Sequence, residues 1–233
     1  MNDETEISNR IRFCLDKKQG ALSEFESKKL LSSYDVPVTK EVIATGPESA
    51  VAEAIKIGFP VALKASGKSF YHKTELAGVV LYLRNEYEVQ LAAEKLLNIK
   101  GCEALLVQEM IYGDRELLCG LKRDEQFNVC LMFGLGGILT EILNDFTFRI
   151  APITLWDAEE MITEIRGKKI LGPFRGQAAV NATAVAQVLV NIAQVGLENT
   201  NVVEIDINPL KIKMDGNPVA VDALVVLKTC QTK

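Results

Sequence analysis

The apolar and polar positions in the first half of the chain predict a small sheet packed with two helices. Apolar residues recur at helical spacing in residues 47–57 and 87–97, and Gly46-Pro47 is a typical helix start. The apolar runs that are typical of strands lie at 36–43, 60–65, 78–83 and 104–111. The order of these segments predicts a β-α-β-loop-β-α-β unit.

A helix is predicted before this unit, at residues 23–34. Phe25, Leu30 and Leu31 form its apolar side. The charged residues expected on the opposite, polar side are Glu24, Glu26, Lys28 and Lys29.

The second half of the chain predicts another α+β unit. Its strand-like runs lie at 116–122, 128–133, 148–153, 202–207 and 219–227. One helix is expected to start with Asp157 as its cap and Glu160 completing a capping box, and a very apolar helix at 181–195 is expected to be buried. The domains predicted are an N-terminal extension, a helix joining the larger lobe, a smaller lobe and a larger lobe, at 1–20, 21–35, 36–111 and 112–233.

Composition narrows the possible functions. The 233 residues are 48% hydrophobic and 24% charged, which is typical of soluble globular proteins and excludes extensive disorder. A net charge of −5 gives no general attraction to nucleic acid or to an anionic membrane. The longest uncharged apolar stretch, 127–140, contains three glycines and is too short to cross a bilayer. The polar start carries no signal peptide pattern, so we expect a cytoplasmic protein.

Metal and redox chemistry based on histidine or cysteine is not expected. The chain has one histidine, His72, so a His-rich metal site is excluded. None of the five cysteines has CxxC spacing, which predicts free thiols in a reducing compartment.

A lysine and a polar loop are candidates for binding an anion. Lys64 ends an apolar strand, where an ammonium group is costly unless it meets a negative partner such as phosphate. The loop 66–77 that follows contains small residues, two lysines and His72, whose imidazole is nucleophilic at neutral pH. A lysine that reaches solvent and an inert surface histidine would explain the same residues.

The segment FGLGG, residues 133–137, follows another apolar strand. It lacks the third glycine of the dinucleotide-binding fingerprint, and no helix with the right βαβ context is evident. Its glycines indicate either a tight turn or close approach of the backbone to a phosphate. Glu141, Asp145 and Arg149 follow at four-residue spacing; the arginine could hold a phosphoryl group or form an ion pair with a surface carboxylate.

Polar side chains converge in the last third of the chain. Strand alternation puts Glu204, Asp206 and Asn208 of VVEIDINPL on one face. A hairpin turn at 214–217 is expected to bring Asp222 of the next strand opposite Asn208. These oxygen-bearing side chains suit a hard cation such as Mg²⁺, and a salt bridge or hydrogen bond within the hairpin is the alternative.

This ordered set of motifs resembles the ATP-grasp proteins, and more closely the β subunits of ADP-forming acyl-CoA synthetases, relatives of succinyl-CoA synthetase. The resemblance covers residues 21–228. The motifs that carry it are LLSSYDVPVTKE, GFPVALKASG, HKTELAGVVL, FGLGGILTEILNDFTFRIAP, ILGPFRG and EIDINPL with Asp222. Ala77-Gly78 and Glu75 depart from the family's usual Gly-Gly and Asp in the histidine loop.

The resemblance implies an α+β protein with the ATP-grasp fold, in which two α+β lobes hold a nucleotide between them. It implies that acyl-CoA, ADP and phosphate are converted reversibly into carboxylic acid, CoA and ATP, with Mg²⁺ as cofactor. A phosphohistidine would carry the phosphoryl group. The partner implied is a CoA-binding α subunit in an α2β2 heterotetramer, because no segment of this chain resembles the CoA-binding part.

The resemblance also implies roles for individual residues. Lys64 would grip the nucleotide phosphates, Asn208 and Asp222 would bind magnesium, and His72 would be a second phosphoryl carrier. Asp206 would steady the phosphohistidine, and Arg149 and Arg175 would hold the phosphoryl group in transit. The remaining nucleotide contacts are expected at Gln108, Glu109, Met110, Ile111, Glu116, Gly136 and Gly137.

Two other functions share most of these residues. An ATP-grasp ligase that directly joins a carboxylate to an amine or thiol through an acyl phosphate would need Lys64 and the metal strand but not His72. A non-catalytic nucleotide-sensing subunit would bind ADP and Mg²⁺ without phosphoryl transfer.

Overall fold

The computed structural model describes residues 11, 14, 15, 20–67, 78–173 and 176–228. These residues belong to two compact units. One is Thr39–Ile111, and the other combines the described parts of Met1–Val38 and Tyr112–Lys233.

The predicted strand at 36–43 is wrong in its first half, because β1 spans only Glu41–Ala44. The residues before β1 pair with the larger unit instead. The Pro37 carbonyl accepts a hydrogen bond from the Ala220 N–H at 2.8 Å, and Val38 forms a bridge with Ala220.

Helix α1, Glu24–Ser32, confirms the predicted helix but corrects its polar face. Ser23 caps it in a capping box with Glu26. Glu24 and Lys28 were expected on the polar side, yet both are buried and form an ion pair with an Nζ–Oε1 distance of 2.8 Å. Their four-residue spacing puts them on one side of the helix, and that side faces the protein.

The smaller unit is a four-stranded antiparallel sheet with two helices packed on one face. Its elements are β1, α2 Pro47–Ile57, β2 Val61–Ser66, β3 Val79–Leu83, α3 Glu86–Leu97 and β4 Ala104–Glu109. The strand order is β1-β4-β2-β3. The helix-covered core contains Leu63, Val107 and Leu96, so alternate residues of β2 and β4 lie on the opposite face.

The larger unit contains a six-stranded antiparallel sheet in the order β10-β8-β5-β6-β7, with β9 paired to β8. Its elements are β5 Arg115–Asp124, β6 Asn128–Leu135, α4 Ile138–Leu143, β7 Phe146–Ile150, α5 Leu155–Glu164, a 3-10 helix Lys168–Leu171, α6 Ala182–Glu198, β8 Val202–Ile212, β9 Pro218–Ala220 and β10 Leu224–Leu227. As expected from its apolar sequence, α6 is largely buried.

Two details of this unit differ from the predictions. Thr154 caps α5, and Asp157 is the third helical residue whose carboxylate accepts the Thr154 N–H at 2.7 Å. The observed capping box, Thr154 with Asp157, therefore lies about one turn before the predicted Asp157–Glu160 box. The predicted strand at 219–227 is divided into β9 and β10 by a bend at 221–223.

One face of the six-stranded sheet packs against helices α5 and α6. Ile205, Leu121 and Leu131 lie in one cross-strand row and are buried in the core together with residues of α5 and α6. Adjacent positions along each strand point to the opposite face, here called the outer face, which carries Asp206 beside Gly120. No helix in the described parts of the chain is long and apolar enough to cross a membrane.

Candidate functional site

The predicted polar face of strand β8 is confirmed. Ile205 and Ile207 are fully buried, whereas Glu204, Asp206 and Asn208 are partly buried and alternate with them. The acidic residues and Asn208 therefore line the outer face, as alternation predicted.

A β-bulge interrupts β8 at Asn208. Ile207 pairs with Cys119 and Leu210 pairs with Leu117, so Asn208 and Pro209 together face Leu118. A bulge redirects side chains and is common beside functional sites. Here the Asn208 amide oxygen accepts a hydrogen bond of 3.1 Å from the Gly137 N–H, which joins EIDINPL to the glycine motif.

Asp222 comes from the bend between β9 and β10. On one side of the bend Leu210 is opposite Ala220, and on the other side Asp206 is opposite Leu224. The register is the same on both sides, so it places Asp222 opposite Asn208, as the sequence predicted.

Negative charge accumulates around Asp206. Burial and the nearby carboxylates of Glu204 and Asp222 raise the pKa of Asp206 from 3.8 to about 6. A bound cation would relieve this repulsion, because opposite charge favours the ionised form.

The donor set at this position fits Mg²⁺. Asn208 and Asp222 offer oxygen atoms, the ligands that Mg²⁺ prefers. Within the described ranges, no three His, Cys, Asp or Glu side chains are grouped to hold a metal. Asn208 and Asp222 would supply part of a coordination shell, which Mg²⁺ usually completes with phosphate oxygens and water.

Glu116 and the glycine motif lie next to Asn208. The Gly136 N–H donates to the Glu116 carbonyl at 2.8 Å, and the Glu116 carboxylate is 3.4 Å from the Lys211 ammonium. Gly137 has φ of 60°, and a Cβ there would collide with the Glu116 carboxylate. Only glycine fits this position, which leaves the backbone exposed to close approach. Helix α4 begins directly after Gly137, but it joins the antiparallel strands β6 and β7, so the motif lacks the βαβ context of a dinucleotide-binding site, as expected.

Sequence reasoning missed Lys211. Alternation alone would put it on the helix-covered face with Ile205 and Ile207. The bulge at Asn208 shifts the phase by one residue and moves Lys211 to the outer face, opposite Glu116. An ordinary strand pattern gives no sign of such a shift, although Pro209 within the strand is a recognised marker of a bulge.

Lys64 and Gln108 lie in the smaller unit, on the sheet face opposite its helices. Both side chains are buried, with exposed fractions of 4% and 2%. Gln108 pairs with Ala62 and Lys64 pairs with Leu106, so the two polar side chains share a face on adjacent strands. Two of the residues predicted to contact a nucleotide therefore lie side by side on this face.

Some backbone N–H groups at the end of β4 and directly after it are already hydrogen-bonded within the protein. The Glu109 N–H donates to the Lys40 carbonyl at 3.0 Å and the Met110 N–H to the Pro60 carbonyl at 3.4 Å. The Glu109 carboxylate accepts the Lys40 N–H at 2.7 Å. The Glu109 and Met110 N–H groups are therefore already paired within the protein.

The structure contradicts the role expected for Arg149. Arg149 pairs with the core residue Leu131, so it points to the helix-covered face, opposite to Asp206. Its guanidinium binds the Glu164 carboxylate at 2.6 and 2.9 Å, and this contact raises its pKa. Arg149 thus connects β7 with α5.

Asp145 also has a structural role. Burial alone would raise its pKa, but hydrogen bonds from the Arg166 and Gly167 N–H groups lower the pKa overall. Two other predicted residues, His72 and Arg175, lie outside the described residues.

Substituting Asp206 by Asn is expected to stabilise the ligand-free protein at neutral pH. Because folding raises this pKa from 3.8 to about 6, the folded state holds the proton more tightly. The free energy of unfolding therefore falls as the pH rises through this interval and stays low above it. At pH 7 the variant should gain up to about 3 kcal/mol, at roughly 1.4 kcal/mol per pKa unit, and the gain should vanish below pH 4.

Denaturant unfolding at several pH values in a chelating buffer measures this effect. Asp145→Asn is a control for which a loss of stability is expected, since the pKa of Asp145 is lowered by contacts that the amide weakens. An Asp206→Asn variant less stable than the parent at pH 7 would refute the electrostatic account.

Substituting Gly137 by Ala is expected to lower stability by about 1–3 kcal/mol, the cost of this backbone conformation for other residues. The methyl group would also displace Glu116 and the Gly137–Asn208 hydrogen bond, so nucleotide affinity should fall. Gly172→Ala is the matched control, because Gly172 has φ of −69° and room for a Cβ. Chemical unfolding and calorimetry with ADP measure both effects; equal results for the two variants would contradict the prediction.

Comparison with known proteins identifies the family. Residues 14–227 match the ATP-grasp domain model. The chain is 37% identical over 213 residues to the acetate–CoA ligase (ADP-forming) I subunit beta of Pyrococcus furiosus, covering 88% of this chain and 91% of that protein.

A longer relative and a solved structure extend this finding. The chain is 37% identical to acetate–CoA ligase (ADP-forming) II of Archaeoglobus fulgidus, over 88% of this chain but only 30% of that protein. A structure of acetyl-coenzyme A synthetase 1 from Ca. Korarchaeum cryptofilum, with coenzyme A and Mg-AMPPCP, matches with a TM-score of 0.85 and 36% identity, over 95% of this chain and all of that chain. The predicted α+β ATP-grasp fold is therefore confirmed, and the chain belongs to the ATP-grasp family, among the β subunits of ADP-forming acetate–CoA ligases.

Proposed function

We propose that this chain is the nucleotide-binding subunit of an ADP-forming acyl-CoA synthetase. The complete enzyme converts acyl-CoA, ADP and phosphate reversibly into the carboxylic acid, CoA and ATP. The observation that carries the proposal is the register of β9 and β10 on β8, which places Asp222 opposite Asn208 at the β8 bulge, beside the Gly137 N–H.

In this proposal Asn208 and Asp222 bind Mg²⁺ together with the nucleotide phosphates. Bound there, the ion neutralises charge on the phosphates during transfer. The Gly137 N–H orients the Asn208 amide. Gly136 and Gly137 keep side chains away from the phosphate path, and Glu116 with Lys211 borders the same position.

Lys64, which is buried on the sheet face opposite the helices, binds phosphate oxygens through charge-assisted hydrogen bonds from its ammonium. The segment from Gln108 to Ile111 reads the adenine edge. Since the Glu109 and Met110 N–H groups already donate to carbonyls, the contacts assigned to the base are the segment's carbonyl oxygens and the Ile111 N–H.

The phosphoryl group reaches ADP from His72, which received it from the partner subunit. The phosphorus–nitrogen bond breaks while a terminal ADP oxygen forms the new phosphorus–oxygen bond, and the imidazole nitrogen keeps the electron pair and takes up a proton. Asp206 steadies the phosphohistidine and Arg175 holds the phosphoryl oxygens. The Korarchaeum relative, described with a phosphohistidine segment pointing towards its nucleotide site, supports phosphoryl transfer between a phosphohistidine and the nucleotide.

The partner is a CoA-binding α subunit, in an α2β2 assembly and in the cytoplasm. Support comes from the relative named as subunit beta and from the length of the Archaeoglobus protein, of which this chain spans 30%. The additional part of that longer chain is the counterpart expected of a separate α subunit.

Co-purification with the candidate α subunit, followed by an assay of ATP formed from acyl-CoA, ADP and phosphate, tests this function. ATP synthesis is expected only with both subunits and Mg²⁺. A complex that binds Mg·ADP but transfers no phosphoryl group with any acyl-CoA would favour the nucleotide-sensing alternative. Failure of the chain to bind ADP with Mg²⁺ would refute the proposed function.

A further inference from the structure

A buried ion pair in α1 contacts the bend that carries Asp222. Lys28 and Glu24 have side-chain exposed fractions of 1% and 3%. The Lys28 ammonium donates to the Glu24 carboxylate at 2.8 Å and to the Val221 carbonyl at 3.1 Å. Val221 is the residue before Asp222, so a charged hydrogen bond holds the backbone next to a proposed magnesium ligand.

The same helix holds the other side of the bend. The Ser27 hydroxyl accepts a hydrogen bond of 3.1 Å from the Val225 N–H, and both groups are buried. In addition, the Val221 N–H donates to the Pro209 carbonyl at 3.1 Å. The bend is thus fixed before and after Asp222 by α1, and is tied to β8 directly after Asn208.

Burying a lysine and a glutamate is expensive, and a pair of apolar side chains would often fill such a position equally well. The ammonium supplies what an apolar residue could not, a charged donor for a carbonyl in an irregular segment. Residues 221–223 lie between β9 and β10 and keep a backbone hydrogen bond to β8 at Val221, so the contacts with α1 add to the restraint on their path.

We propose that Lys28, held by Glu24, is a positioning residue that aims Asp222 at the magnesium ion of the bound nucleotide. This inference rests on the proposed function. Groups that orient metal ligands typically affect metal affinity by 10- to 100-fold without touching the ion.

The test is the double substitution Glu24→Gln with Lys28→Met, which removes both charges and leaves neither buried alone. Calorimetry of ADP binding to the full chain is recorded over a series of Mg²⁺ concentrations and again in EDTA. The half-saturating Mg²⁺ concentration should rise roughly 10-fold, while the ADP affinity in EDTA stays unchanged. Ser27→Ala, a milder change, should shift the Mg²⁺ dependence in the same direction and serves if the double variant fails to fold.

Arg123→Met is the matched control, because Arg123 also binds backbone carbonyls but has only a structural role. Arg123 donates to the Val202 carbonyl at 3.0 Å and to carbonyls at the end of α6, away from the bend. It should lower the melting temperature without changing the Mg²⁺ dependence.

Wild-type Mg²⁺ dependence in both the double variant and Ser27→Ala would overturn the positioning role and leave the proposed function intact. An equal shift in Arg123→Met would also overturn it, because general destabilisation would then be the cause. Absence of any Mg²⁺ dependence in the parent protein would refute the proposed function and this inference together.

Discussion

Replacing Asp222 by Ala is expected to abolish ATP synthesis by the complete enzyme while leaving the fold intact. The carboxylate is one of two protein ligands proposed for Mg²⁺, and losing several kcal/mol of charge neutralisation in the transition state costs at least about 10³-fold in rate. The fold should survive, because the backbone hydrogen bonds at Val221 and Val225 do not involve the Asp222 side chain. Removal of this charge also relieves Asp206, whose pKa it helps to raise.

The measurements are acyl-CoA-dependent ATP synthesis, Mg·ADP binding by calorimetry and thermal unfolding without metal. Asp215→Ala is the control, since Asp215 is an exposed carboxylate in the turn before β9 and accepts the Asn217 N–H at 2.9 Å. It should retain full activity. Normal turnover by a folded Asp222→Ala variant would remove Asp222 from the metal site, and loss of activity in both variants would point to damage of the hairpin.

The residues of this candidate site were predictable where regular strand geometry applies. Period-two alternation in β8 placed Asp206 and Asn208 on one face, and the turn chemistry at 214–217 set the register that places Asp222 opposite Asn208. Both features depend on local sequence, which determines strand pairing within a hairpin.

Features that depend on tertiary contacts were not predictable in this way. The side of α1 bearing Lys28 carries charged residues and was therefore expected to face solvent. It is buried because it contacts a segment almost two hundred residues later in the chain. Arg149 was expected near phosphate because it follows the glycine motif, yet strand pairing turns it to the other face. Lys211 was missed because a single bulged residue reverses the phase of the strand. In each case a long-range pairing decides the direction of a side chain.

Replacing His72 by Ala is expected to abolish acyl-CoA-dependent ATP synthesis while leaving Mg·ADP binding unchanged. Imidazole is nucleophilic at neutral pH and forms a phosphoramidate that readily passes its phosphoryl group to ADP. His72 is the only histidine in the sequence, so acid-labile, base-stable phosphate that is present on the parent chain and absent from the His72→Ala chain identifies it as the carrier. The residue lies outside the described part of the structure, which makes the chemical label the decisive measurement.

The complex with the α subunit is incubated with γ-labelled ATP, and the label on each chain is followed after acid and base treatment. The parent β chain should carry base-stable label, and His72→Ala should carry none. Asp222→Ala separates binding from transfer, because it should lose Mg·ADP binding as well as label. A His72→Ala complex that still makes ATP at the parent rate would instead favour a direct acyl-phosphate ligase, since that mechanism passes the phosphoryl group between carboxylate and nucleotide without a protein carrier on this chain.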